Sequence, residues 1–246
     1  MTGFAIETNG LTKSYDGRVA LDGVDLAVPT GSVLGFLGPN GAGKTTMIRI
    51  LSTILAADSG SFTVAGVPDH QPARVRGVVG VLPESAGYPP SQTGREWLTF
   101  HARLFGQPRR QAADTARALL GEVGLADRGG SAISSYSRGM RQRLGIARAL
   151  VNDPRVVILD EPTLGLDPAG QDQLLDLISR IARHRGATVV LSTHQLDEVE
   201  RVCDRVVILH HGKVVAEGTV DQVTADAAAD DGRLRTAFLS VTEDPR

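Results

Sequence analysis

The segment Gly38-Pro39-Asn40-Gly41-Ala42-Gly43-Lys44-Thr45 sets three glycines, a lysine and a hydroxyl in the spacing G-x-x-x-x-G-K-[ST], directly after the apolar run 33–37. Glycines at 38, 41 and 43 leave backbone N–H groups free to converge on phosphate oxygens, and a helix that follows turns the positive end of its dipole to the same charge. The chemistry such a loop can do is to hold a magnesium nucleoside triphosphate. Lys44 is expected to reach the β and γ phosphates, the Thr45 hydroxyl to ligate Mg²⁺, and Thr46 to complete the nucleotide-binding set. A plain glycine turn between strand and helix would explain two of the glycines but not Lys44-Thr45 in register.

A second group of candidates lies downstream. Val156-Val157-Ile158-Leu159 is an apolar run ending in Asp160-Glu161. In an open parallel sheet the carboxyl ends of strands line the ligand crevice, which would bring both acids to the phosphate loop. Asp160 is assigned to the magnesium site and Glu161 to polarising the attacking water; alone, the pair would read as acids at the solvent end of a strand. His194 follows another apolar run, at the same expected edge, where it can hydrogen-bond the γ phosphate or the water. His70, His101, His184, His210 and His211 have no such placement and read as surface or packing residues.

Positioning these groups requires a largely parallel α/β core. Short Val- and Ile-rich runs at 33–37, 78–82, 156–159, 189–191 and 206–209 have the character of strands buried on both faces. Two regions depart from that rhythm. The opening stretch, with Val19-Ala20-Leu21 and Val24-Asp25-Leu26-Ala27-Val28, predicts an antiparallel β portion. Between Leu82 and Val156 the segments 96–105, 112–123 and 140–151 carry apolar residues at helical spacing, Met140, Leu144, Ala147 and Val151 on one face. Residues of about 85–152 are therefore expected to form an inserted helical subdomain in a main α/β domain of 1–220, and 221–246 a linker and tail: a short helix at 219–225, then a solvated linker at 226–232.

A chain of 246 residues, 41% hydrophobic, can build a sizeable core. With 26 basic and 28 acidic residues, its charge of −2 gives no overall attraction to nucleic acid or to an anionic membrane, and no nucleic-acid partner is expected. The one cysteine, Cys203, excludes an internal disulfide framework and reads as a packed thiol in a reducing compartment. No run reaches the roughly 18 apolar residues a membrane crossing needs, and the N-terminus lacks signal-peptide blocks. A soluble, cytoplasmic protein is expected, so that any membrane part belongs to another chain.

Together these pieces resemble the nucleotide-binding domain of an ABC transporter, over about Ile6 to Gly218. Gly38–Thr45 matches the Walker A motif and Val156–Glu161 Walker B. Ser137-Arg138-Gly139-Met140-Arg141-Gln142-Arg143 stands where the family carries its signature, Leu164-Gly165-Leu166-Asp167 resembles the D-loop, and His194 the switch histidine. Tyr15 lies where the family stacks an aromatic on adenine. The resemblance implies ATP and Mg²⁺ as ligands, and a head-to-tail homodimer in which Ser137 and Gly139 of one copy close over ATP held by the other. Read alone, Ser137 is a helix cap.

Two positions depart from the family pattern. Arg138 replaces the first signature glycine, and Glu84, in Val81-Leu82-Pro83-Glu84, stands where glutamine is usual. Glu84 can still ligate Mg²⁺ through oxygen but brings a charge beside phosphates. These departures, with Ala237-Phe238-Leu239, resemble the bacterial ABC-2 and drug-exporter branch, whose polytopic permease is a separate chain, so that the transported substrate does not bind here and the protein sits peripherally on the inner membrane face. Tyr88, Trp97, Leu98 and Phe100 are candidates for the patch that receives that partner, burial within the insert being the competing reading. A soluble ABC ATPase of translation or DNA repair is the rival function, disfavoured by the single P-loop and absent heptads. A generic P-loop kinase or GTPase would leave Ser137–Gln142 and His194 idle.

Overall fold

The computed structural model describes residues 3–225 and 233–242. Strands β1 (Phe4–Tyr15) and β2 (Arg18–Pro29) form a hairpin around Asp16-Gly17, both at positive φ (48° and 82°), the backbone that a two-residue primed turn demands. β3 (Val33–Leu37) leads into the phosphate loop and α1 (Lys44–Leu51) leaves it. β4 (Ser59–Val64) and β5 (Val67–Pro68) complete an antiparallel sheet of order β2-β1-β4-β5. Its buried face, with Ile6, Leu11, Leu21, Val28 and Phe62, packs on Met47, Ile48 and Leu51 of α1.

After α2 (Pro72–Val78) and β6 (Val79–Leu82) come the helices of the insert, α3 (Gly94–Leu104), α4 (Arg109–Glu122) and α5 (Arg138–Ala149). α3 opens with a reciprocal cap: Glu96 N–H donates to the Thr93 hydroxyl and Thr93 N–H to the Glu96 carboxylate. The chain returns to the core through β7 (Val156–Asp160), α6 (Pro168–Arg185), β8 (Thr188–Ser192), α7 (Leu196–Val202), β9 (Arg205–His210) and β10 (Lys213–Thr219). These strands build the second sheet, order β10-β9-β3-β8-β7-β6, parallel except where β10 runs against β9. Every residue of β3, β7 and β8 is buried, as strands covered on both faces must be.

The two faces of this sheet belong to different cores. Leu34, Phe36, Ile158 and Val190 point to α1 and the antiparallel sheet, whereas Leu82, Leu159 and Leu191 join Trp97, Leu98, Leu120 and Leu144 of the helical insert. The insert is thus continuous with the core, and α5 packs against β6 as well as against α3, α4 and α6.

Two expectations need revision. Trp97 and Leu98 are buried, at 4% and 0% exposure, so they are not a free docking patch; Trp97 packs against the Tyr88 ring at 5.1 Å and His101 at 4.7 Å. Of the four proposed patch residues Phe100 is the exposed one, joined by Leu104 and Phe105. Helical spacing gave Trp97 and Phe100 similar weight because it marks an apolar face and not how far the neighbouring helix covers it. The tail reading also missed α9 (Arg233–Thr242), whose Leu234 is fully buried beside Leu37, Val199 and Ile208. α8 (Val220–Val223) is the short helix expected at 219–225, while the linker at 226–232 lies outside the described residues.

Candidate functional site

The phosphate loop is a tight backbone bowl whose shape depends on glycine. At Gly43 φ is 111°, and a Cβ there would stand 2.5 Å from the Ala20 carbonyl oxygen and 2.9 Å from Leu21 Cδ2. Lys44 opens α1 and folds back into the bowl, its Nζ donating to the carbonyls of Gly38 (2.5 Å) and Pro39 (3.2 Å). Only 7% exposed, it has its pKa lowered by burial, and the carboxylates of Glu161, Asp160 and Glu84 work in the opposite direction.

A cleft of about 380 Å³ gathers residues from five separate stretches. Asn40 to Thr46, Glu84, Asp160 with Glu161, Leu164 and His194 line it. Parallel pairing is the cause: β3, β7 and β8 end at one sheet edge, with Asp160 level with Ser192. Tyr15 does not line this cleft; it stands 41% exposed at the β1 hairpin end, with Lys13 Nζ 5.9 Å from its ring centroid.

Asp160 is 4% exposed and its Oδ1 has no hydrogen-bond partner among the described residues. Burial raises its pKa, with the Glu84 and Glu161 charges adding and the Ser192 hydroxyl and Lys44 opposing. Among the described residues no three acidic, histidine or cysteine side chains are grouped so as to hold a metal by themselves, but the unpartnered buried oxygen of Asp160 and the hydroxyl of Thr45 belong to residues lining one cleft, and these donors fit a hard cation that takes its remaining oxygens from phosphate.

Glu161 adopts a left-handed backbone, φ 48°, rare outside glycine and costly by roughly 1–3 kcal/mol. Its N–H donates to the Ser192 carbonyl (3.0 Å) and its carbonyl accepts from Leu164 N–H (3.1 Å), which hold the bend. The bend aims its side chain at His194, whose Nδ1 lies 2.9 Å and 3.1 Å from the two carboxylate oxygens. Sequence reasoning placed these two at one edge but did not pair them. It also missed Ser192, whose signal was its position directly before Thr193-His194 at a strand end.

The signature residues occupy a second cleft, of about 510 Å³, lined by Ser137, Arg138, Gly139, Met140, Gly165 and Asp167 among others. Ser137 caps α5, its Oγ accepting from Met140 N–H at 3.2 Å, and Asp167 caps α6, its Oδ1 accepting from Gly170 N–H at 3.1 Å. The guanidinium of Arg138 lies across Gly165: a Cβ there would be 2.6 Å from Cζ, and φ is 72°. The two clefts share no lining residue, although Leu164 lines the first and Gly165 the second.

A P-loop bowl, a strand-end acid pair and a serine-capped helix on an inserted subdomain define an ABC-type ATPase. A family model described as ABC transporter matches residues 21–164, more than half of the chain, and the chain belongs to that family as its ATP-binding, ATP-hydrolysing subunit. It is 42% identical over 232 residues to the daunorubicin/doxorubicin resistance ATP-binding protein DrrA of Streptomyces peucetius, covering 94% of this chain and 70% of that one. It is 40% identical over 222 residues to the Nod factor export ATP-binding protein I of Paraburkholderia xenovorans strain LB400, covering 90% and 73%. Among solved structures, an ATP binding subunit of an ABC transporter superposes with a TM-score of 0.84 at 30% identity, over 97% of this chain and all of that one. The cbiO1 subunit from Clostridium perfringens, part of the ABC transporter complex cbiONQ, gives 0.82 at 28% identity over 91% and 92%. These relatives favour the transporter reading over a soluble ATPase of translation or repair.

Proposed function

We propose that two copies of this chain associate head to tail around two molecules of Mg-ATP, that hydrolysis releases them, and that the cycle drives a separate polytopic membrane subunit in export. The observation that carries this is the division of one chain into two clefts with no residue in common, one furnished for a triphosphate and one presenting a serine-capped helix. A second copy supplies the missing half of each site, Ser137 and Gly139 covering the phosphates that Lys44 and Thr45 of its mate hold.

Within the site, each residue does what its surroundings permit. Lys44 neutralises phosphate charge from inside the bowl, and a bound triphosphate opposes the desolvation that lowers its pKa. Thr45 and Asp160, with Glu84 as a further oxygen donor, would hold Mg²⁺, which supplies charge neutralisation on the phosphate oxygens. With Glu161 ionised, His194 Nδ1 must carry the hydrogen that the carboxylate accepts, which leaves Nε2 for the γ phosphate or the attacking water. Glu161 then takes the proton of that water. Tyr15, exposed and carried on a hairpin end, is a platform for the adenine ring.

Export, and a small amphipathic cargo, follow from the likeness to resistance and Nod factor export proteins. No helix among the described residues is long and apolar enough to cross a membrane, which fits peripheral attachment at the inner membrane face through the permease. Glu161→Gln tests the core of the proposal. It should lower turnover by at least 100-fold and give a dimer in size-exclusion chromatography with Mg-ATP. A monomer under those conditions, or wild-type turnover, would refute it.

A further inference from the structure

Glu198 is 3% exposed, ionisable, and outside every role assigned above. Burying a carboxylate is unfavourable unless something is gained, and an apolar residue would fill this position of α7 without that penalty. Its pKa is raised, chiefly by burial. What it touches is the segment on either side of His194.

Oε2 of Glu198 accepts from the Thr193 hydroxyl at 2.7 Å, with Thr193 itself fully buried. The same Oγ1 accepts from the Gln195 N–H at 3.0 Å. A threonine hydroxyl has one hydrogen to give. Committing it to Glu198 turns a lone pair toward Gln195, so that one side chain clamps the residues before and after His194. Thr193 N–H also donates to the Phe36 carbonyl at 3.3 Å, which ties the clamp to the strand that feeds the phosphate loop.

The other carboxylate oxygen, Oε1, is buried without a hydrogen-bond partner among the described residues, and so is the hydroxyl of Thr163, fully buried two residues after Glu161 and near enough to lower the Glu198 pKa. Glu198 therefore sits between the two loops whose ends, Glu161 and His194, meet at 2.9 Å. That contact joins a glutamate whose bend is held by its own backbone hydrogen bonds to a half-exposed imidazole, so the placement of the His194 loop decides whether the two meet.

We propose that Glu198 is a positioning residue for hydrolysis: through the Thr193 hydroxyl it fixes the His194 loop against Glu161. The inference rests on the catalytic roles given to those two residues. It acts as a hydrogen-bond acceptor, so an amide oxygen serves in its place.

The test is steady-state ATP turnover of the full chain. Thr193→Val keeps shape and removes the hydroxyl, and Glu198→Ala removes the acceptor. Each should lower kcat about tenfold, the worth of one well-placed hydrogen bond, with KM for ATP within about twofold of wild type. The double variant should be no slower than the slower single, because both break one link, and Glu198→Gln should recover at least half of the lost rate. A Thr193→Val kcat within twofold of wild type overturns the proposal, even if Glu198→Ala fails to fold. So do effects that multiply in the double variant, or a Glu198→Gln as slow as the alanine. Glu161→Gln run alongside separates the failures: if its turnover is unchanged the catalytic reading is lost, whereas if it collapses while Thr193→Val does not, only the clamp is.

Discussion

At the residue scale the site is organised around unfavourable electrostatics. Asp160, Glu161 and Glu84 converge on one cleft, and Asp160 has surrendered its solvent without acquiring a partner for Oδ1. A carboxylate whose folded pKa lies above its unfolded value binds more protons in the native state, so it destabilises the fold at neutral pH and ceases to do so as pH falls through that raised pKa. Asp160→Asn is therefore expected to raise thermal stability at pH 7, on the order of 1 kcal/mol or about 2–4 °C for a chain of this size. The gain should shrink toward zero as the melting is repeated at progressively lower pH, and ATP turnover should be lost at every pH. A variant less stable than wild type at pH 7 would mean that the carboxylate has a stabilising partner. The sequence singled out 38–45, 160–161 and 194 because phosphate chemistry restricts residue types, and residues of all three segments line one cleft. The Glu161–His194 contact was not legible there, because it depends on a left-handed backbone that no residue type announces.

At the element scale, the apolar face of α3 divides between core and solvent. Trp97 is enclosed by Tyr88, His101 and the body of the insert, whereas Phe100 is 54% and Leu104 65% exposed. Trp97→Ala should cost about 3–5 kcal/mol of stability by leaving a cavity, and so cannot report on a partner. Phe100→Ser with Leu104→Ser should leave the unfolding midpoint and the ATP turnover of the purified chain near wild type, since exposed substitutions move stability by roughly 0.5 kcal/mol or less. If this surface receives the membrane subunit, the same pair abolishes co-purification from membranes; retention of the partner would move the docking surface elsewhere. The elements themselves were read well where period and breakers agreed: β3, β7, β8 and β9 fall within one or two residues of their apolar runs. β1, β4, β5 and β10 had no such run to mark them: Phe4–Tyr15, for one, alternates buried and exposed residues too irregularly, with register shifts at several points, to stand out as one strand.

At the scale of the whole molecule, the described chain closes its core with its own end. α9 contributes Leu234, fully buried, and Phe238 and Val241 against α7 and β9, while Leu234 N–H donates to Glu200 at 3.1 Å. Ala237-Phe238-Leu239, singled out for resemblance alone, thus has a packing role through Phe238. Leu234→Ala is expected to destabilise by about 2–5 kcal/mol, measured by denaturant unfolding, whereas an independent tail would give no change. Since α9 rests on α7, which carries Glu198, loss of the helix should also loosen the His194 loop.

The sequence by itself determined the ligand chemistry and the class of fold. A phosphate bowl needs glycines and a lysine at fixed spacing, and strands buried on both faces need unbroken apolar runs, so local composition carries both. Only the tertiary structure decided which charged groups meet and which apolar faces remain open, while the expectation that the signature helix and the phosphate loop lie apart in one chain is matched by their two separate clefts. The reason is physical: spacing along a chain fixes which side of an element a residue occupies, while burial and pairing depend on what the rest of the molecule brings to that side.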